Sequence, residues 1–180
     1  DKQVVLDTSN NKYGFTIPSG FIEPVALAKK SGAKTQLMVF ASQDDKVYDE
    51  KQNKYTGLLD YVLSTPERRG KVINEIIRHM TISADDGSSV VFDGVVIDFE
   101  AMKGETLKNN FITFLTELRN KMTENDIKNL YVAVHPKSQK MGYYDAYDYR
   151  SIGDIADRVI LMAHDYNAKK LSSQEMSAGD

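Results

Sequence analysis

The sequence predicts an α/β fold in which a parallel sheet is covered by helices. Three observations carry that prediction. Apolar runs of strand length alternate along the chain with amphipathic helical segments, the pattern of right-handed strand–helix–strand crossovers. Several of those runs are apolar on both faces, as strands buried beneath helices are. The chain has 180 residues, 41% of them apolar and 27% charged, enough for one domain with a real core.

Taken in order, QVVLD (3–7) reads as a short strand followed by the polar turn TSNNKYG. FIEPVALAKKSG (21–32) reads as a helix closed by Gly32, a residue suited to a left-handed cap. TQLMVFAS (35–42) is a second strand, and QDDKVYDEKQNKYTG after it reads as a charged loop. Thr65 and Pro66 supply an N-cap and a first helical position. The helix they open carries Val72, Ile73, Ile76, Ile77 and Met80 on one face. VVFDGVVIDFEAM (90–102) is a third strand, followed by a helix with Leu107, Phe111, Phe114, Leu118 and Met122 at helical spacing. NLYVAVHP (129–136) is a fourth strand, stopped by Pro136. YYDAYDYRSIGDIAD is an aromatic-rich loop with a short helix, and RVILMAHDYN (158–167) is a fifth strand. No internal repeat or low-complexity segment interrupts the pattern.

The net charge of −3 comes from interspersed signs, with no basic block that would suggest nucleic acid or an anionic membrane. No apolar run approaches ~18 residues, so no membrane span is expected, and DKQVVLD does not read as a signal peptide. The absence of cysteine excludes disulfides, thiolate metal sites and a thiol nucleophile, without fixing the compartment. The chain begins without Met and is expected to be part of something longer.

The third strand raises a chemical question, because Asp93, Asp98 and Glu100 interrupt an apolar run. Side chains alternate on a strand, so Val96, Asp98 and Glu100 share one face while Val95, Ile97 and Phe99 share the other. The apolar set suits packing against helices. Asp98 and Glu100 sit at the carboxyl end, about 7 Å apart along the strand, where parallel α/β folds build their sites. Two acids so placed suit a division of labour in which one donates a proton and the other stays charged. The same acids could instead cap the next helix or pair with lysines. Both readings stand on the residues alone.

FDGVVIDFE resembles the signature of glycoside hydrolase family 18, the chitinase-like enzymes, written DGxDxDxE at the end of the fourth barrel strand. YTGLLDYVLSTPERRGKVINEIIRHM resembles the helical lead-in of the branch with spore-cortex-lytic and germination enzymes. NLYVAVHPKS resembles the fifth strand, and DIADRVILMAHDYN the sixth. The resemblance spans roughly residues 20 to 167. It implies a (β/α)8 TIM-barrel fold, incomplete in this chain, with the five strands as the second to the sixth of eight, and a single catalytic domain over 1–180. By the same resemblance, Glu100 is the general acid that protonates the glycosidic oxygen and later activates water. Asp98 orients the substrate's 2-acetamido group, whose carbonyl oxygen attacks the anomeric carbon with net retention. Asp93 and Gly94 are structural members of the motif. Met162, His164 and Asp165 are substrate-binding. His135, at the end of YVAVH near the same rim, is open to two readings, a substrate-binding sugar contact or a group supporting one from behind. No cofactor and no metal are implied.

The sequence departs from the family pattern in several places. The middle Asp of the signature is Val96, which puts rate and pH optimum in question but not the acid. The Tyr of Met-x-Tyr-Asp is His164, which can still donate to an acetamido oxygen. The Gly-Gly that often ends the third strand is replaced by FASQ. His79 reads as structural. Tyr143, Tyr144, Tyr147 and Tyr149 are open to two readings, a sugar-stacking platform or a cover over the core. A metal phosphodiesterase built on Asp93, Asp98, Glu100, His135 and His164 is disfavoured because Asp93, at odd offset, points elsewhere. A lectin-like, non-catalytic relative is the stronger alternative. The resemblance implies hydrolysis of β-1,4 bonds beside N-acetylglucosamine, in peptidoglycan (spore cortex) ahead of chitin. The implied location is secreted, cell-envelope or spore-associated in a bacterium. The family's final strands usually bring a Trp to the sugar site, and this chain has none. The open sheet edges predict association as a homodimer, or ends rearranged to cover them, with catalysis by these residues alone weak or absent.

Overall fold

The computed structural model describes residues 4–7, 14–84, 86–137 and 144–163. Strand β1 (Val4–Asp7) lies beside a short antiparallel strand, β2 (Gly14–Thr16), which sequence reasoning did not anticipate. Helix α1 (Ile22–Lys30) ends as expected. Gly32 takes φ 79°, a left-handed turn that glycine adopts without steric cost. Strand β3 (Gln36–Ser42) then runs parallel to β1.

The segment read as a charged loop is instead an antiparallel hairpin, β4 (Lys46–Asp49) and β5 (Lys54–Gly57). Its charges mask an alternation in which Val47 and Asp49 turn inward while Lys46 and Tyr48 face solvent. Helix α2 (Leu58–Leu63) follows directly, and then α3 (Pro66–Arg78), whose Thr65 hydroxyl accepts from the Arg68 N–H as a cap. Val72, Ile73, Ile76 and Met80 are buried, as their spacing predicts.

A second correction concerns residues 90–102. Val90 and Val91 belong to another hairpin, β6 (Thr81–Ser83) with β7 (Ser89–Val91). The chain breaks at Phe92 and Asp93, whose N–H groups donate to Met80 O and Thr35 O, before β8 (Gly94–Glu100) begins. Then come α4 (Glu105–Glu124), β9 (Asn129–Val134), α5 (Tyr149–Ile155) and β10 (Arg158–Leu161).

The main sheet is ordered β10-β9-β8-β3-β1-β2, and every pairing except β1 with β2 is parallel. Each parallel strand is therefore added beside its predecessor, always in one direction. A doubly wound sheet would reverse at a switch point; steady progression is how a barrel grows. The sheet is an arc of a (β/α)8 barrel, with five parallel strands among the described residues.

Alternation settles which face goes where. Leu37, Val39 and Ala41 of β3, Val95, Ile97 and Phe99 of β8, and Leu130, Val132 and Val134 of β9 are buried in one core with α2, α3 and α4. Phe99 stacks on Phe114 of α4 at 5.4 Å, and Leu107, Phe111, Leu118 and Met122 complete that helix's buried face. Arg69 of α3 is also buried. Its guanidinium donates twice to Glu117 of α4 and once to Leu63 O, so one cation joins three helices with its hydrogen bonds satisfied. The opposite face of the sheet, the barrel interior, carries Met38, Phe40, Val96, Asp98, Glu100 and Tyr131.

Candidate active site

β8 positions the acids. Gly94 opens it at a point where any side chain would collide with the Asn129 carbonyl oxygen and the Gln36 side chain, so the strand can lie this close to β9 only with glycine. Asp93, just before it, accepts from Thr35 N (2.8 Å), Thr35 Oγ1 (3.1 Å) and Lys29 Nζ (2.9 Å). The Thr35 N–H, reinforced by the Lys29 ammonium, holds its carboxyl below the usual range. Asp93 is thus tied at the amino end of the sheet, away from the other two acids.

Asp98 is 5% exposed and Glu100 half-buried, and both belong to the inner face. In the register of β3 with β8, Phe40 lies level with Asp98 and Ser42 with Glu100. Glu100 is gripped through its backbone. Its carbonyl accepts from Gln43 N at 3.0 Å, and the preceding Phe99 carbonyl accepts from the Tyr147 hydroxyl at 2.6 Å. Immediately beyond, Ala101 takes φ 59°, a left-handed conformation that costs a side-chain-bearing residue free energy and turns the chain sharply out of the strand. Gly104 N then donates to Asp145 Oδ1 at 2.8 Å, tying this turn to the loop before α5.

His135 follows β9, and continuing the β8–β9 register places it level with Glu100. Its ring lies 4.6 Å from that of Tyr144 and 5.8 Å from that of Tyr147. The Tyr149 hydroxyl donates to the His135 carbonyl. Among the described residues, Tyr144, Tyr147 and Tyr149 therefore do not form an open platform. Tyr147 is core, Tyr144 and Tyr149 pack against it, and Tyr143 lies outside the described residues. Burial, with the charges of Glu100 and Asp98 nearby, pushes the Tyr147 hydroxyl well above its ordinary range, so it remains a donor. Sequence reasoning missed this positioning role, since its partner is a backbone carbonyl that no pattern announces.

Met162, at the end of β10, is half-buried, and its N–H donates to Val134 O at 3.0 Å, which keeps it beside the end of β9. His164 and Asp165 lie outside the described residues. His79 is buried in the α3 terminus, with Nδ1 2.7 Å from Glu75 O and its ring edge-on to Phe15. Among the described residues no group of three or more His, Asp or Glu side chains is placed to hold a metal ion, and no helix is long and apolar enough to cross a membrane. Two concavities, about 570 Å³ beside Asp93 and Asn129 and about 460 Å³ beside Asp49 and Arg68, do not touch Asp98 or Glu100.

An arc of singly wound parallel strands, with paired acids at the carboxyl end of an inward-facing one, defines a barrel of the class that builds its sites from strand ends. Within that class, the model of glycosyl hydrolases family 18 matches residues 28–178, most of the chain. The chain belongs to that family. No curated protein matches it. Among solved structures it is similar to a candidate sporulation-specific glycosylase from Bacillus subtilis, at 19% identity and TM-score 0.69, over 92% of this chain and 49% of that one. It is also similar to the spore cortex-lytic enzyme SleL of Bacillus cereus, at 16% identity and TM-score 0.68, over 92% of this chain and 34% of that one. A class V chitinase from Nicotiana tobaccum gives 19% identity and TM-score 0.63, over 91% of this chain and 44% of that one. At these identities the likeness is one of fold, and the chain spans between a third and a half of the length of these relatives.

Proposed function

We propose that this chain carries the acid machinery of a retaining, substrate-assisted glycosidase acting beside N-acetylglucosamine. The observation that supports it best is the placement of Asp98 and Glu100 on the inner face at the carboxyl end of β8, within the family signature. Glu100 donates its proton to the glycosidic oxygen as the bond to the anomeric carbon breaks. The acetamido carbonyl oxygen forms the new bond to that carbon while Asp98 stabilises the developing oxazolinium. Water, deprotonated by Glu100, then opens the ring with net retention. His135, Met162, His164 and Asp165 contact the sugar, and Asp93 and Gly94 hold the strand in place. The domain extends over residues 1–180.

Peptidoglycan of the spore cortex is the substrate class we favour over chitin, with action in the cell envelope or outside the cell. Similarity to the two Bacillus proteins supports this choice. The test follows the anomeric proton by NMR early in digestion of a peptide-free, N-acetylated glycan, beside chitin oligomers and a de-acetylated control. Retained configuration with no cleavage of the control is expected. Inversion would remove Asp98 from its role, and binding without new reducing ends would leave a lectin-like protein instead.

A further inference from the structure

The hairpin β4–β5 carries a feature that the acid chemistry does not use. Tyr48 and Tyr55 are directly paired across its two strands, 45% and 72% exposed, with ring centroids 5.2 Å apart and edge to face. Rings this exposed do little for the core, yet the hairpin beneath them is firmly held. On its inward side the Asp49 carboxylate accepts from Arg68 and from the N–H groups of Lys51 and Gln52, and Arg68 lies 3.7 Å over the Tyr61 ring. The Tyr48 hydroxyl donates to Asn53 Oδ1 in the turn, which fixes that ring's direction.

The hairpin also follows the carboxyl end of β3, whose Ser42 lies level with Glu100, so it rises from the same rim of the sheet as the acid pair. Alternation puts residue 57 on the same face as Tyr55. The space a side chain at Gly57 would occupy is filled by Gln43. Gln43 donates its backbone N–H to the Glu100 carbonyl, and its side chain exchanges hydrogen bonds with Asp60 at the start of α2. Gln43 thus ties the base of the hairpin to the β8 rim through the Glu100 backbone, while its side chain turns to α2 beneath the tyrosine face. Tyr48 is five positions from Gln43, so their Cα atoms are at most about 18 Å apart.

We infer that Tyr48 and Tyr55 form an accessory glycan subsite, binding pyranose rings of the same polysaccharide strand whose glycosidic bond reaches Glu100. The negative ring faces suit the C–H-rich face of a pyranose, while Gln43 and Asp60 offer a donor and an acceptor to its hydroxyls. Preorganised aromatics lose little conformational freedom on binding. This inference rests on the glycosidase reading for its ligand, but its test is kept separate from hydrolysis.

The experiment measures affinity for a long N-acetylated glycan and for a disaccharide, in the whole chain bearing Glu100→Gln so that no substrate is consumed. A Tyr48→Ala/Tyr55→Ala pair is expected to bind the long glycan about tenfold more weakly, with disaccharide affinity unchanged. A Tyr48→Phe/Tyr55→Phe pair is expected to retain most of the long-glycan affinity, which separates ring contact from damage to the fold. Equal long-glycan affinity with and without the tyrosine rings, including none in either protein, overturns the subsite. So does concentration-dependent self-association that only the Ala pair abolishes, which would assign the rings to a contact between copies. If the rings govern binding but the protein with native Glu100 releases no reducing ends, the subsite stands and the hydrolytic reading falls.

Discussion

The two ends of the sheet use their carboxylates in opposite ways. At the amino ends the same device occurs twice. Asp93 and Thr35 exchange hydrogen bonds, Thr35 N to the Asp93 carboxylate and Asp93 N to Thr35 O, and Lys29 of α1 closes the set. Asp157 and Leu130 do the same two strands further along the sheet, with Arg119 of α4 as the cation. In each case an aspartate just before a strand stitches it to the preceding strand and to the helix before that. At the carboxyl ends the grips act on carbonyls, Gln43 on Glu100 and Tyr147 on Phe99. Among the described residues the Glu100 carboxylate enters no ion pair. The strand is thus fixed at its rim without engaging that acid in a salt bridge. One end of the barrel holds the fold, and the other positions the acids to which the proposed chemistry is assigned.

That division is most sharply tested by exchanging what each end loses. Glu100→Gln should lower turnover at least ~100-fold, the scale of general acid catalysis, while leaving the unfolding midpoint nearly unchanged. Near-normal turnover on an unactivated glycan would remove Glu100 from its role. Asp157→Ala should do the reverse. It strips the Leu130 N–H of its side-chain acceptor and Arg119 of one of several, and should cost about 1–2 kcal/mol of stability in denaturant unfolding. Any change in the variant's turnover should follow its folded fraction. A specific loss of activity at full folding would mean that the two ends are not separable.

The next effect is smaller and depends on pH. The Thr35 N–H and the Lys29 ammonium depress the Asp93 carboxyl. Burial pushes Asp157 up, but the Leu130 N–H and Arg119 outweigh it and leave that group lowered as well. A depressed folded pKa means that the stabilisation is complete above the unfolded value of about 3.9 and is lost as pH falls through the folded one. Unfolding midpoints should therefore drop between about pH 5 and about pH 2, and Asp93→Asn should flatten that limb. A wild type and Asn variant with parallel acid limbs would show that the Asp93 stitch adds nothing.

Much of this was legible in the sequence, and the exceptions have physical causes. Alternation in VVIDFE separated the two faces of β8 correctly, because a strand's period is 2 whatever surrounds it. Thr65, Pro66 and Gly32 marked helix ends by local chemistry alone. Asp98 and Glu100 could be placed on one rim because both lie on one strand. The stitch through Asp157 could not be read, since its partners are 27 and 38 residues away. The hairpin at 46–57 was hidden by its charges, and the break at Phe92 by its apolarity. Burial itself is the clearest lesson. VVID and RVIL are both strand-like, yet Val95, Val96, Ile97 and Asp98 are buried while Arg158, Val159, Ile160 and Leu161 are all exposed. Among the described residues β8 has a strand on each side and β10 has one, and composition does not carry that difference.

That contrast between β8 and β10 yields the last and smallest predicted change in folding stability. β10 pairs only with β9 among the described residues, and Val159 (42%), Ile160 (42%) and Leu161 (52%) are open to solvent on both faces of the strand. An unpaired apolar edge is a template for another chain, and a lysine on it blunts pairing by demanding hydration. We propose that copies of this chain associate through the β10 edge. Leu161→Lys should shift sedimentation from a concentration-dependent dimer to a monomer. Its own unfolding free energy, measured in dilute solution, should change by no more than ~0.5 kcal/mol, as for an exposed site. The corresponding change on β8, Ile97→Lys, would bury a charge within the sheet and should prevent folding. A wild-type chain that stays monomeric at every concentration, or a Leu161→Lys variant that dimerises as strongly, would show that this edge does not recruit a partner.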